Sequence, residues 1–310
     1  MDLETFLAAE RGVRRPVRSG YVAIVGRPNV GKSTLINAMV GRKVAITTAK
    51  PQTTRHRIVG VCNRAEAQIV LVDTPGIHDA RARAMNRYLN RTAHGAVEGV
   101  DAVLLVIEAG RWRDGDAAVL NRLAQGSAPL LLVVNKIDRM KDKAAALPFI
   151  QARAAAFDYA DIVPLSALKQ DNLSALVRAL MPYLPHEGAL FPDTVVTDKS
   201  EQFMAAEVVR EQLTLRLNQE LPYALTVEIE RFEQDPETQR TVINAVIYVE
   251  RPNQKQIVIG KGGAMLRDVG SGARQALNRL LDRRVHLELW VKVKEGWSDS
   301  ERALRSLGYE

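Results

Sequence analysis

The chain has 310 residues, a formal net charge of +7, 46% hydrophobic and 25% charged residues, which excludes a disordered chain, a collagen and a disulfide miniprotein. Its one cysteine, Cys62, excludes an internal disulfide, no apolar run approaches the ~20 residues of a membrane helix, and the acidic start MDLETFLAAERG is unlike a signal peptide. The expectation is a cytoplasmic protein of two domains. Charge is uneven: Lys and Arg number 26 against 17 Asp and Glu over residues 1–190, 5 against 12 over 191–250, and 8 against 2 over 251–284. An acidic block followed by a basic one suggests a surface that meets a polyanion; solvated helix faces would give the same counts.

Short apolar runs at Tyr21–Gly26, Ala67–Asp73, Asp101–Glu108, Leu130–Asn135 and Asp161–Leu165 alternate with helix-like segments. That alternation predicts an α/β domain with a mostly parallel six-stranded sheet. Arg57–Asn63 before Ala67–Asp73 reads as a hairpin, so one edge strand is expected to be antiparallel, and Asp171–Leu184 reads as the last helix. The stretch PYLPHEGALFP (Pro182–Pro192) breaks regular structure with three prolines and a glycine. Beyond it, an amphipathic helix is expected at Lys199–Gln219, strands at Ala224–Phe232 and Thr241–Glu250, two helices flanking Gly260–Gly263, and a strand at Val285–Val293. The order is α-β-β-α-α-β. The boundaries are an N-terminal extension 1–20, a first domain 21–185, a linker 186–198, a second domain 199–297 and a tail 298–310.

Gly26-Arg-Pro-Asn-Val-Gly-Lys-Ser33 fits G-x-x-x-x-G-K-[ST] between a strand and a helix. Backbone N–H groups of Asn29, Val30, Gly31, Lys32, Ser33 and Thr34 would cradle phosphates at a helix N-terminus. Lys32 would reach the β- and γ-phosphates and Ser33 would ligate Mg²⁺. Asp73-Thr-Pro-Gly76 ends a strand, where Asp73 can orient the Mg²⁺ shell through water and Gly76 can offer its N–H to a γ-phosphate. Asn135-Lys-Ile-Asp138 ends another. Asp138 can accept two hydrogen bonds from the guanine N1–H and 2-amino group, a donor pair that adenine lacks. Asn135 would tie this loop to the P-loop and Lys136 would cover a base face. Ser166-Ala167 follows the next strand, where a backbone N–H can meet the guanine O6.

This ordered set, with Pro51-Gln-Thr-Thr-Arg55, resembles the translation-factor-related GTPases over residues 21–185. The resemblance implies GTP and GDP as ligands, hydrolysis of GTP to GDP and phosphate, and Mg²⁺. It makes Lys32, Thr54 and Gly76 the catalytic set and adds Thr54 to Ser33 and Asp73 as metal residues. Where many relatives carry a glutamine that orients water, this chain has Ile77, so intrinsic turnover is expected to be slow. Asn29 matches an asparagine that binds K⁺ in some relatives, which makes K⁺ a second candidate cofactor. His78 beside it reads as a bystander.

Val258-Ile-Gly260-Lys261-Gly262-Gly263-Ala-Met-Leu266 places a G-x-x-G loop between two helices inside the basic block. Such a loop lets a nucleic-acid backbone approach the main chain, with Lys261 and Arg267 adding charge and Ile257, Ile259, Leu266 and Val269 offering an apolar groove. A plain helix-turn-helix corner would show the same glycines. A GTPase domain followed by a type II KH domain resembles the bacterial Era GTPases from about Tyr21 to Trp297. That resemblance implies a GTP-switched factor that binds 16S rRNA near its 3′ end, acts in assembly of the 30S subunit and associates peripherally with the inner membrane; nothing in the sequence demands more than a monomer. Two other classes remain open at this point: an RNA-binding assembly protein whose nucleotide is a slow timer, and a membrane-associated regulatory GTPase. The basic run Arg42–Arg64 reads either as a second RNA contact or as a mobile switch loop.

Overall fold

A computed structural model describes residues 18–50, 53–75, 84–140, 146–218 and 221–309. They divide into two compact units. One comprises the chain up to Val44, with Arg57–Thr74 and His94–Asp198; the other comprises Ala45–His56, Pro75–Ala93 and the chain from Lys199 on.

The first unit contains strands β1 (Arg18–Val25), β2 (Ile58–Asn63), β3 (Ala67–Asp73), β4 (Ala102–Glu108), β5 (Leu130–Asn135) and β6 (Asp161–Pro164). Helix α1 (Lys32–Val40) follows β1, and α3 (Asp114–Leu123), α4 (Ala146–Ala154) and α5 (Leu173–Leu180) follow β4, β5 and β6, while most of α2 (Ala84–Gly95) belongs to the second unit. The strand order is β2-β3-β1-β4-β5-β6. Only the β2/β3 pair is antiparallel, as the hairpin reading of Arg57–Asn63 predicts. Strands β3, β4 and β5 and the Val22–Val25 end of β1 are near-continuous aliphatic runs buried along almost their whole length, the pattern of parallel strands covered on both faces. The order reverses at β1, between β3 and β4, and in such sheets the crevice beyond the strands' carboxyl ends at that point is where ligands sit.

Two stretches outside the expected domain core are ordered parts of this unit. Strand β1 starts at Arg18, so Arg18–Gly20 of the expected extension lie in the sheet, with Ser19 buried. The expected linker runs along β2 and β3. The Gln68 amide accepts from Leu190 N and Phe191 N (2.8 Å each), Val61 N donates to Val196 O (2.9 Å), and Val59 N donates to Asp198 Oδ1 (3.2 Å). Phe191 and Val195 pack there over Val59, Val61 and Val70.

The second unit has a three-stranded sheet ordered β7 (Leu225–Gln234), β8 (Thr241–Val249), β9 (Val285–Val293), with β7/β8 antiparallel and β8/β9 parallel. Its helices are α6 (Glu201–Arg216), α7 (Pro252–Ile259), α8 (Ala264–Leu281) and α9 (Glu301–Ser306). Val208, Leu213, Ile243, Ile247, Val269 and Leu277 fill the core between sheet and helices. The expected tail is helical: Leu304 and Tyr309 join Trp297, Met85, Tyr88 and Leu89 in a separate apolar cluster.

Helix α6 departs from the amphipathic expectation. Glu207, Arg210 and Glu211 on it are buried, and Thr47 and Thr53 of the same unit meet its polar side. Thr47 N donates to Glu211 Oε1 (2.9 Å), and Arg210 donates to Thr53 O. The run Arg42–Arg64 is mixed: Arg42 and Arg57 are exposed, while Arg55 is buried. Lys50 and Arg55 spend their donors on carbonyls of the second unit, and Arg64 donates to Met39 O (2.8 Å).

Candidate functional site

The P-loop backbone follows from its glycines. Gly26 has φ +152° and Gly31 has φ +103°, and a Cβ on Gly26 would overlap Val106 O while one on Gly31 would overlap Asn135 Nδ2. No L side chain fits either place. Lys32 is 6% exposed, with Nζ donating to Gly26 O (2.9 Å) and Arg27 O (3.0 Å). Burial lowers its pKa to about 8; Asp73 opposes that shift and Arg27 adds to it. A buried ammonium held by two neutral carbonyls is a strong receptor for a polyphosphate, which supplies the missing counter-charge.

Ser33 Oγ donates to Asp73 Oδ2 at 2.9 Å, joining the start of α1 to the end of β3. Asp73 is fully buried. A hydroxyl and a carboxylate side by side are the hard oxygen donors that Mg²⁺ takes from a protein when nucleotide phosphates complete its shell. Among the described residues no group of three or more His, Cys, Asp or Glu could by itself hold a metal ion.

The guanine side is knitted by Asn135, 2% exposed at the end of β5. Its Nδ2 donates to Val30 O (2.9 Å), and its Oδ1 accepts from Lys136 N (2.8 Å) and Ala167 N (3.0 Å). One side chain thus joins P-loop, base loop and the Ser166-Ala167 turn. Lys136 adopts φ +67° and sends Nζ to Asn29 O (2.6 Å) and Glu108 Oε2 (3.2 Å). Ser166 Oγ donates to Asp138 Oδ1, which orients the carboxylate. The structure therefore brings together Val30, Lys32, Ser33, Asp73, Asn135, Lys136, Asp138, Ser166 and Ala167, with Gly31 and Thr34 in the same loop and helix start. Thr54 lies in the second unit and is 6% exposed. Gly76, Ile77 and His78 lie outside the described residues.

Two supports carry no local sequence signal. Arg27 Nε sits 2.7 Å from Asp116 Oδ1, and Asp116 Oδ2 also accepts Arg113 N at 3.0 Å. This fully buried carboxylate ties the P-loop to the start of α3. Glu108, at the end of β4, holds Lys136. Only the fold's register places these partners together.

In the second unit the G-x-x-G loop makes the turn between α7 and α8, with φ +74° at Gly260, +56° at Gly262 and +78° at Gly263. A Cβ on Gly260 would come within 2.7 Å of Met265 Cβ. Beside the loop runs an open groove of about 550 Å³, lined by Gly263 of the loop, by Leu266, Arg267, Gly270, Ser271 and Arg274 of α8 and by Leu287 and Leu289 of β9. It contains two arginines and no acid. The apolar floor differs from the expected one. Val269 and Ile259 turn into the core, Ile257 is 54% exposed, and β9 supplies the leucines instead. Strand β9 forms an edge of its sheet. Arg284 O and Lys294 N bond toward β8, so by the parallel alternation the N–H and C=O of Leu287 and Leu289 point outward along the groove. Backbone donors and acceptors, arginines and a tight glycine turn together suit single-stranded nucleic acid.

The comparisons agree with this division. A family model described as a 50S ribosome-binding GTPase matches residues 21–136, and one described as a KH domain matches residues 220–298. GTPase Era of Stenotrophomonas maltophilia (strain R551-3) is 54% identical over 295 residues, covering 95% of this chain and 98% of that protein. GTPase Era of Xanthomonas oryzae pv. oryzae (strain MAFF 311018) is also 54% identical, with the same coverage. A crystal structure of Era in complex with MgGDPNP and nucleotides 1506–1542 of 16S ribosomal RNA matches with a TM-score of 0.91 at 39% identity, covering 94% of this chain and 99% of that one. An Aquifex aeolicus Era variant bound to GDP and AlF₄⁻ matches equally well, with a TM-score of 0.91. A GTPase family model, a KH domain after it and identity along nearly the full length all agree: the chain belongs to the Era family of GTPases.

Proposed function

We propose that this GTPase binds the 3′-terminal region of 16S rRNA in the groove between the glycine loop, α8 and β9, and that its nucleotide state sets that binding during assembly of the 30S subunit. The observation that carries the reading is the acid-free groove with Arg267, Arg274 and the outward backbone of β9. A relative of the same architecture holds nucleotides 1506–1542 of that RNA. Single-stranded bases would lie on Leu266, Leu287 and Leu289, with their phosphates against Gly260–Gly263 and the two arginines.

Hydrolysis is in-line attack of water on the γ-phosphoryl, where the protein positions the reactants and balances charge. Lys32 leaves its two carbonyls for phosphate oxygens, and Asn135 and Asp138 fix the base. Ser33 and Asp73 would hold Mg²⁺, which supplies charge neutralisation on the phosphates. Ile77 carries no group that can orient water. For that role we look to a cation: Asn29, exposed in a left-handed turn of the P-loop, is the residue that the family resemblance matches to a K⁺-binding asparagine. Faster hydrolysis in K⁺ than in Na⁺, lost in Asn29→Ala, supports that assignment; equal rates in both salts refute it.

The RNA reading is tested with the Lys261→Asp/Gly262→Asp double variant, whose positions are both exposed. Loss of binding to an oligoribonucleotide of the 16S 3′ end, with basal GTP hydrolysis intact, supports the groove as reader. Unchanged RNA binding contradicts it, and vesicle binding without RNA binding would favour a membrane-associated regulator.

A further inference from the structure

The first turn of α3 carries a glycine and an acid that belong to none of the nucleotide motifs. Asp116 is fully buried, and a buried carboxylate is tolerated only where a cation or donors answer it. Its Oδ1 lies 2.7 Å from Arg27 Nε, and its Oδ2 accepts from Arg113 N at 3.0 Å. Gly115 stands just before it, with no left-handed backbone to require a glycine, and a helix favours almost any other residue. What a side chain there would meet is the Arg27 stem: a Cβ on Gly115 would come within 2.6 Å of Arg27 Cδ and 3.2 Å of its Cγ. The arginine is thus seated twice, its stem beside the space that Gly115 leaves and its Nε against Asp116. Its side chain is 16% exposed.

The main chain of Arg27 belongs to the nucleotide site. Its carbonyl and that of Gly26 hold Lys32 Nζ, at 3.0 and 2.9 Å. The second half of the P-loop is tied to the base loop: Asn29 O accepts from Lys136 Nζ (2.6 Å) and Val30 O from Asn135 Nδ2 (2.9 Å). The first half is tied differently. Gly26 lies close against Val106 of β4, and the Arg27 side chain runs to α3. Separating a buried pair leaves a bare charge on the partner, so the pair holds the loop in one place.

We propose that Gly115 and Asp116 form a receptor for the Arg27 side chain, and that Asp116 is thereby a positioning residue for GTP hydrolysis, acting through Arg27 on the P-loop turn from which Lys32 reaches the γ-phosphoryl. The inference rests on Lys32 as the phosphate lysine. Every contact in it lies within one unit. GDP keeps the base contacts of Asn135 and Asp138 and has no γ-phosphoryl. A displaced turn therefore harms GDP binding less than the step in which charge on the transferred group must be balanced.

The test uses the full chain as wild type and as Arg27→Ala, Asp116→Asn and Gly115→Ala, the last two also combined with Arg27→Ala, each checked by thermal denaturation; Lys32→Ala is the control. Asp116→Asn keeps an acceptor for Arg113 N and removes the charge. Gly115→Ala keeps both charges, favours the helix and presses on the Arg27 stem, so it carries the test even where the buried acid cannot be replaced. Fluorescent GDP gives the affinity, and single turnover at saturating GTP gives the hydrolysis rate. In Asp116→Asn and Gly115→Ala the rate falls about tenfold or more, since small misplacements of reacting groups cost that much, while GDP affinity falls less than about threefold. Once Arg27 is alanine, neither second substitution slows hydrolysis further. A cap or propensity effect would persist without the arginine. Wild-type hydrolysis in the folded variants overturns the proposal, as do losses that add to that of Arg27→Ala, or a fall in GDP affinity as large as the fall in rate. Unchanged hydrolysis in Lys32→Ala overturns the phosphate-lysine reading itself, and the role of the receptor with it.

Discussion

Replacing Asn135 by alanine removes three hydrogen bonds at once: to Val30 O at 2.9 Å, from Lys136 N at 2.8 Å and from Ala167 N at 3.0 Å. Val30 O and Ala167 N are left buried, and each orphaned polar group costs about 1–3 kcal/mol. The total is about 2–6 kcal/mol. Part of it lowers stability; the rest is paid when nucleotide demands that P-loop and base loop hold their relative place. A binding share of about 2–4 kcal/mol weakens GDP about 30- to 1000-fold. Titration with fluorescent GDP reads this directly, and the GDP-dependent rise in melting temperature reads it a second way, since ligand stabilisation follows affinity. A loss of affinity under about threefold would show that the asparagine does not hold the site together. The variant would also bind GDP and GTP with equal loss, because none of its three bonds concerns the γ-phosphate.

The buried lysine predicts a proton effect. Lys32 titrates at about 8 in the empty protein against 10.5 for a free lysine, so between those values the unfolded chain binds a proton that the folded one lacks. Apo-protein stability should rise as pH increases from about 8 to 10.5, by up to about 3 kcal/mol. Phosphates restore the charged form, so GDP binding near pH 8.5 should take up a proton, visible by calorimetry in buffers of different ionisation heat; no uptake would mean that the ammonium is already fully charged. In the groove, Arg267→Gln with Arg274→Gln should lower the slope of log affinity for single-stranded RNA against log salt by about 1.4, at about 0.7 per lost phosphate contact. An unchanged slope would place the phosphates elsewhere.

What the sequence made legible is local. The P-loop needs glycines at 26 and 31 because the backbone there excludes a Cβ, and the base loop needs Asn135 and Asp138 at the end of an aliphatic strand; both are written within a few residues. The strand runs and the antiparallel edge follow from hydrophobic period and hairpin length in the same way. What was hidden depends on register between distant elements. Asp116 under Arg27 and Glu108 beside Lys136 are acids with no local mark. The groove floor was misread because an apolar helix residue does not declare which side it faces: Val269 went to the core, while Leu287 and Leu289 came from a strand far along the chain. Helix α6 misled for a related reason. Its buried Glu207, Arg210 and Glu211 look solvent-facing until Thr47 and Thr53 are found against them.

The central claim is that guanine nucleotide governs how the KH groove holds RNA. The most direct measurement is the affinity of the wild-type chain for a labelled oligoribonucleotide of the 16S 3′ end, taken with GDP and with a non-hydrolysable GTP analogue at one fixed salt concentration. Tighter binding with the analogue, by about fivefold or more as ordinary coupling energies give, is the predicted result. Equal affinity in the two nucleotide states would contradict the claim and leave a GTPase joined to an RNA-binding domain that it does not control.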